Sequence, residues 1–175
     1  MNPELYMMRF GRLLVSIFCT VALLLAAASQ ASITAPAPEA ELPGPSTDRE
    51  PGDVVRIVIE ALADNDAPFA DAGIATTFAF ASPANKVNTG PLSKFSQMVR
   101  NPTYGILIDH VEHEFSEVVL TGRLAYQMVR IVGRNGAEVI FAFRLSQQAE
   151  GEYEGMWMTD AVWPVASGEL PDKAF

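Results

Sequence analysis

One cysteine, two histidines and only 12 Lys+Arg against 21 Asp+Glu leave this 175-residue chain few of the usual chemistries. Phosphate backbones are held by clustered Lys and Arg, so a net charge of −9 argues against a nucleic-acid partner. The lone Cys19 sits inside an apolar run, Leu13 to Ala28, that follows Arg9 and Arg12. Ser29-Gln30-Ala31 then places small residues at both positions a signal peptidase reads. Residues 1–31 therefore read as a signal peptide cleaved after Ala31, which exports the chain to a periplasmic or extracellular space. Phe18 before Cys19 is not the small residue a lipoprotein signal needs. Cys19 leaves with the peptide, and disulfides, thiol catalysis and Cys-ligated metal leave with it. The run is short of the ~20 residues of a membrane span. Membrane attachment would come only through an uncleaved signal segment.

Other absences narrow the field further. The sequence holds no phosphate-binding glycine loop, no Ser-His-Asp arrangement and no internal repeat. Asn101-Pro102-Thr103 has Pro where N-glycosylation forbids it. Nothing in the sequence implies a cofactor.

What is present divides by composition. Residues 32–50 are Pro-rich and acidic and lack periodicity, as a linker would. Residues 51–165 carry the pattern of a single α+β domain, and 166–175, with Gly168 and Pro171, read as a loose tail. Pro51 and Asp53 open a helix whose Val54, Val58, Ala61 and Leu62 form an inner stripe, widened by Val55 and Ile59. A second helix is expected from about Phe69 to Ala81, stopped by Ser82-Pro83, with a loop over 84–90. Pro91 opens a third, with Leu92, Phe95, Met98 and Val99 on one face. Tyr104 to Ile108 fits a helical turn or a strand equally.

From Val111 the chain reads as about four antiparallel strands: Val111–Leu120, the two arms of a hairpin, and Met156–Pro164. Asn135-Gly136 is a strong hairpin signal, because a two-residue type I′ turn needs positive φ at both positions. That turn pairs Val132 with Val139, Arg130 with Phe141, Met128 with Phe143 and Tyr126 with Leu145. It sends this bulky set toward the helices. The smaller set, Ile131 with Ile140 and Val129 with Ala142, would then face another sheet or a second subunit. Helices first and a strand meander after give an α+β fold with N-terminal helices on one face of a curved antiparallel sheet.

The runs DVVRIVIEALADNDAPFADAGIATTFAFASPANK, GPLSKFSQMVRNPTYGIL, FAFRLSQQ and WMTDAVW, in that order, resemble the family known as domain of unknown function 4864. The resemblance spans roughly Pro51 to Val162 and implies no activity. The layout is more distantly similar to the nuclear-transport-factor-2-like (SnoaL-like) superfamily. That similarity implies a cone of helices inside a bent sheet, often dimeric and often with a pocket, on a fold that hosts enzymes and scaffolds alike.

Candidate chemistry is sparse. Asp109-His110-Val111-Glu112-His113-Glu114 gathers both histidines, and His-x-x-His can ligate zinc on a helix. On a strand the two side chains point to opposite faces, so a solvated turn is the ordinary reading and no metal is expected. Asp109 and His110 could also act as an acid–base pair, with the neighbouring acid raising the histidine pKa. Asp160 lies among the apolar residues of WMTDAVW, where a carboxylate is either a general base or the partner of Arg130 or Arg144 across the sheet. Phe78, Phe95, Met98, Tyr104, Tyr126, Arg130 and Trp157 are the candidate lining of a pocket between helices and sheet, with ordinary core packing as the alternative. The leading reading is an exported, non-enzymatic module that binds a small apolar ligand or a protein and pairs as a homodimer through its sheet. The alternative is an isomerase- or cyclase-type enzyme with Asp160 or His110 as base in the cone pocket. A purely structural protein, with no cavity, is the third reading.

Overall fold

The computed structural model describes residues 41–166. The signal peptide, Cys19, the first part of the linker and the tail beyond residue 166 lie outside the described residues. Four helices precede an antiparallel sheet of five strands, an α+β fold. The helices are α1 (Pro51–Ala63), α2 (Ala72–Ala79), α3 (Pro83–Thr89) and α4 (Leu92–Val99). A 3-10 turn at Gly105–Leu107 settles the segment that sequence left undecided.

The first helix follows its sequence closely. Pro51 presets φ at the first turn, and Glu50 and Asp53 exchange hydrogen bonds across the helix start as a capping box. Its buried stripe is Val54, Val55, Val58, Ile59 and Leu62. Within the composition's linker, Arg49 reaches back to the domain, its guanidinium 5.8 Å from the Phe80 ring centroid.

The second helix is shorter than expected at both ends. Asp71 sits at φ 63, which no helix continues through, so α2 starts at Ala72 rather than Phe69. Asn65 closes the joint: its Oδ1 accepts from the Ile74 backbone N–H and its Nδ2 donates to Asp71 Oδ1. The loop expected over 84–90 is a helix instead. Ser82-Pro83, read as a stop, is also a start: Ser82 is extended at ψ 157, its hydroxyl accepts from Asn85 N–H, and Pro83 occupies the first turn.

The strands are β1 (Glu112–Phe115), β2 (Val119–Thr121), β3 (Leu124–Val132), β4 (Glu138–Gln147) and β5 (Trp157–Val165). Order across the sheet is β1-β3-β4-β5, with β2 on the same edge of β3 as β1. The single first strand of the sequence reading is thus two. Ser116 breaks it: its hydroxyl, 2.9 Å from Met128 N, takes a ladder position that backbone would have filled.

The hairpin turns where expected but one residue out of register. Gly136 N–H bonds to Gly133 O and Gly133 N–H to Ala137 O, and only Gly136 of the corner has positive φ (76). This is a three-residue loop ending in a left-handed glycine, not a two-residue type I′ turn. Val132 pairs with Glu138 and Val129 with Phe141. A slip of one turns β3 over relative to β4, which keeps its expected inward face. Ala125, Gln127, Val129 and Ile131 of β3 turn inward with Phe141, Phe143 and Leu145 of β4, and α1 closes over them. Leu124, Tyr126 and Trp163 are exposed on the opposite face, the one that sheet-to-sheet pairing of two copies would use.

Candidate functional site

Between the helices and the inner sheet face lies a half-open cavity of about 640 Å³. That is within the ~300–1,000 Å³ of small-molecule sites. Its apolar wall is built from all layers: Val58 and Leu62 of α1, Phe95 and Val99 of α4, Leu107 of the 3-10 turn and Phe143 of β4. Exposed Ala84 and Asn88 put α3 at the rim. Polar lining comes from both layers: Thr77, Asn85, Asn88 and Thr89 from the helices, and Arg144, Ser146, Thr159 and Asp160 from the sheet.

A break in pairing makes this polar patch. The β4–β5 ladder shifts between Arg144 and Leu145: Arg144 faces Ala161, but Leu145 faces Thr159, which leaves Asp160 as the extra residue of a bulge. Strict alternation along β5 therefore fails. Thr159 and Val162 oppose the inward Leu145 and Phe143, while Ala161 and Trp163 oppose Arg144 and Ala142. The Asp160 side chain is 17% exposed, accepts from Ser146 Oγ at 3.0 Å and lies 3.9 Å from Arg144 Nε. Ser146 in turn accepts from Gln148 Nε2 at 2.9 Å, so the carboxylate is held from one side.

Beside it, Thr159 is pinned through its backbone. Its N–H donates to Phe80 O, and its carbonyl accepts from Ser82 N–H and Asn85 Nδ2. The Thr159 residue is 6% exposed, and its Oγ1 is buried with no hydrogen-bond partner among the described residues. A buried hydroxyl without a partner costs on the order of 1–3 kcal/mol, and native proteins contain few of them.

Of the residues proposed from sequence, Phe95, Met98, Tyr104 and Asp160 line the cavity. Tyr104 donates its hydroxyl to Val162 O at 3.1 Å. Phe78 packs behind the wall with its ring 5.2 Å from that of Phe95, and Trp157 packs on the core; neither is among the lining residues. Tyr126 and Arg130 belong to the far face of the sheet, because the one-residue slip turned them outward. Arg130 is held there by Glu112, Glu114 and Glu138, at 2.9, 2.8 and 3.5 Å. The hydrogen bonds it donates to Glu114 and Glu112 raise its pKa further.

Asp109 and His110 are also not on the cavity wall. The two histidines do meet, against the expectation of opposite strand faces: His110 Nε2 lies 2.9 Å from His113 Nδ1. The cause is Asp109, whose φ of 53 kinks the chain so that His110 precedes the strand instead of lying in it. His110 Nδ1 is 2.8 Å from Leu107 O and must be the donor there, so in neutral His110 the Nε2 accepts from His113 Nδ1–H. The expected upward pKa shift is reversed. Burial lowers the His110 pKa and outweighs the Leu107 hydrogen bond and Asp109. Among the described residues no group of three or more His, Cys, Asp or Glu side chains is placed to hold a metal ion.

Thr159, Asn85 and Ser146 are site residues that motif reading passed over, whereas Arg144, one of the two partners it offers Asp160, does approach that carboxylate, at 3.9 Å. A threonine in a strand looks like ordinary β propensity, and the asparagines were assigned to a loop. The bulge that gathers them leaves no local signature in sequence.

Comparison with known proteins gives one match: a family model described as Domain of unknown function (DUF4864) covers residues 47–166. No curated protein and no solved structure matches.

Proposed function

The chain belongs to the DUF4864 family, which carries no assigned activity, and from that premise we propose that it is a small-ligand-binding module. The observation that carries this reading is the cavity: about 640 Å³, its apolar wall made by Val58, Leu62, Phe95, Val99, Leu107 and Phe143. Interiors normally close to crystal-like density, and a void this large costs packing energy unless something fills it. Export is supported by the N-terminal sequence alone, through Arg9, Arg12 and the apolar run that follows.

The test uses a neutral fluorescent probe, N-phenyl-1-naphthylamine, titrated into the full chain. Saturable one-to-one binding is expected. Val58→Phe, which fills the cavity from α1, weakens it at least tenfold. Ala84→Trp, at an exposed rim position that tolerates substitution, weakens it as well. Undiminished binding to both folded variants contradicts the proposal.

A second reading, an isomerase- or cyclase-type enzyme, draws on Asp160, Arg144 and Tyr104 all being among the residues that line the cavity. It requires a bound ligand to be converted, and Asp160→Asn to abolish conversion while binding persists. Recovery of the ligand unchanged after prolonged incubation favours the binding module.

A further inference from the structure

We propose that the 3-10 turn, with the Asp109-His110 step after it, is an acid-opened wall of the cavity, latched at neutral pH by the hydrogen bond between His110 and His113. The inference rests on the cavity being a ligand site and adds the means by which that site lets its ligand go.

The turn is part of the wall. Tyr104 and Leu107, at its two ends, both line the cavity. Just beyond it, Asp109 N–H donates to Leu62 O at 2.8 Å, which ties the segment to α1 and to another lining residue. His110 then fastens the segment at both ring nitrogens. Its Nδ1 lies 2.8 Å from Leu107 O, and its Nε2 lies 2.9 Å from Nδ1 of His113 on β1. Phe115 braces His113 in turn, the two rings edge to face at 5.1 Å. Asp109 keeps φ at 53, a left-handed conformation that a residue with a Cβ gives up once its contacts go.

Proton counting turns this contact into a switch. The neutral pair has one hydrogen between its facing nitrogens. One added proton is tolerated, either on His113 Nε2 or on His110 Nε2 with His113 in its other tautomer. In both cases a single hydrogen still lies between the two rings. A second added proton puts hydrogen on both facing nitrogens at 2.9 Å, and the bond becomes a clash of like charges. His110 is 5% exposed, so its imidazolium finds no water while the turn is closed. Burial lowers its pKa most and His113 lowers it too, whereas the Leu107 bond and Asp109 raise it. Arg134 of the hairpin loop stands 3.6 Å from the Asp109 carboxylate, and no charge of α1 enters the balance. Release of His110 to solvent carries Leu107 off the wall.

The test follows N-phenyl-1-naphthylamine, which does not titrate between pH 5 and pH 7.5, across that range on the full chain. Its affinity is expected to fall at least tenfold from pH 7.5 to pH 5. His110→Gln, which keeps a donor for Leu107 O, should bind as wild type at pH 7.5 and hold that affinity at pH 5. His113→Gln should do the same, because its amide oxygen accepts from a protonated His110; a histidine that is merely buried would leave the fall in place. Amide exchange reads the latch without the probe: at pH 5 protection is lost at Asp109 while β3 and β4 keep theirs. Level affinity in wild type, an undiminished fall in His113→Gln, or loss of protection across the whole sheet overturns the latch. If the probe fails to bind at pH 7.5, the ligand reading falls and exchange alone decides the latch, which unchanged protection at Asp109 would sink.

Discussion

Replacing Gly73 with alanine sets helix propensity against packing, and the two predict opposite signs. Gly73 is buried in α2 at its closest approach to α1. Its φ is not in the left-handed region, so alanine meets no backbone strain there. On propensity alone the change should stabilise α2 by about 1 kcal/mol. Packing forbids it. An added Cβ would stand 2.1 Å from Ala61 O, 2.8 Å from Ala61 C and 3.0 Å from Asn65 Cα, all backbone atoms that no rotamer change can move. Restoring ordinary contact at 3.4 Å requires a retreat of 1.3 Å (3.4 − 2.1) between the helices. A gap of 0.5–1 Å already forfeits roughly a quarter to a half of each dispersion contact. Ile59, Leu62 and Ile74, all fully buried, sit on the two helices that must separate, and the Gly73 N–H to Asn65 O bond of 2.9 Å is pulled with them. The net loss should be about 2–4 kcal/mol, near the cost of truncating a large core side chain. A Tm drop of roughly 10 °C or more follows for a domain of this size. Urea denaturation reads it directly, with Gly105→Ala as control, because a Cβ there meets nothing nearer than 3.6 Å. A Gly73→Ala chain as stable as wild type, or more stable, refutes the packing argument. Because α2 also supplies Thr77 to the cavity wall and leads into Ala81, which lines it too, the variant should lose probe binding as well.

Three further outcomes are expected. Burial holds the His110 pKa below its ordinary value, so the unfolded chain binds a proton that the folded chain resists. Stability should be level above about pH 7.5 and fall as pH drops through ~6.5 toward the folded pKa, by at most ~1.4 kcal/mol per pH unit; His110→Gln should flatten that limb in urea titrations, and an unaltered slope contradicts the assignment. Ser82→Ala removes the hydroxyl that caps α3 and should cost about 1 kcal/mol, with faster amide exchange at Asn85; no change in either contradicts the helix start drawn at Pro83. Arg130→Ala leaves Glu112, Glu114 and Glu138 facing one another on the outer sheet face, so its destabilisation should be greater at pH 7 than at pH 4 and unequal across salt; a pH-independent effect would mean that packing alone was lost.

Sequence carried the α+β layout because its signals were local. The α1 stripe, the helix start at Pro51 and Asp53, and the glycine corner are each set within a few residues. Register was not local. Asn-Gly supports a two-residue turn and also a three-residue one in which only the glycine is left-handed, and the choice between them decided which face of β3 met the helices. Tyr126 and Arg130 were lost from the pocket for that reason. Ser82-Pro83 ends one helix and begins the next with the same two residues, so α3 and the cavity rim it carries were hidden. The contact between His110 and His113 depends on one positive φ at Asp109, which composition around it did not announce. For the site, Phe95, Met98 and Tyr104 were found because helical spacing puts them on inward faces. Asp160 was found because a carboxylate among apolar neighbours is conspicuous. Thr159 was not, since its importance comes from a hydroxyl stranded by a bulge in a ladder that joins residues far apart in the chain.

The most direct test of a ligand site between helices and sheet is a nuclear Overhauser measurement on the full chain, its methyl groups isotope-labelled, saturated with N-phenyl-1-naphthylamine. The account predicts cross-peaks from the probe's aromatic protons to the methyls of Val58, Leu62, Val99 and Leu107. Cross-peaks confined to Leu124 and the neighbouring outer sheet face, with none to those four, would contradict it.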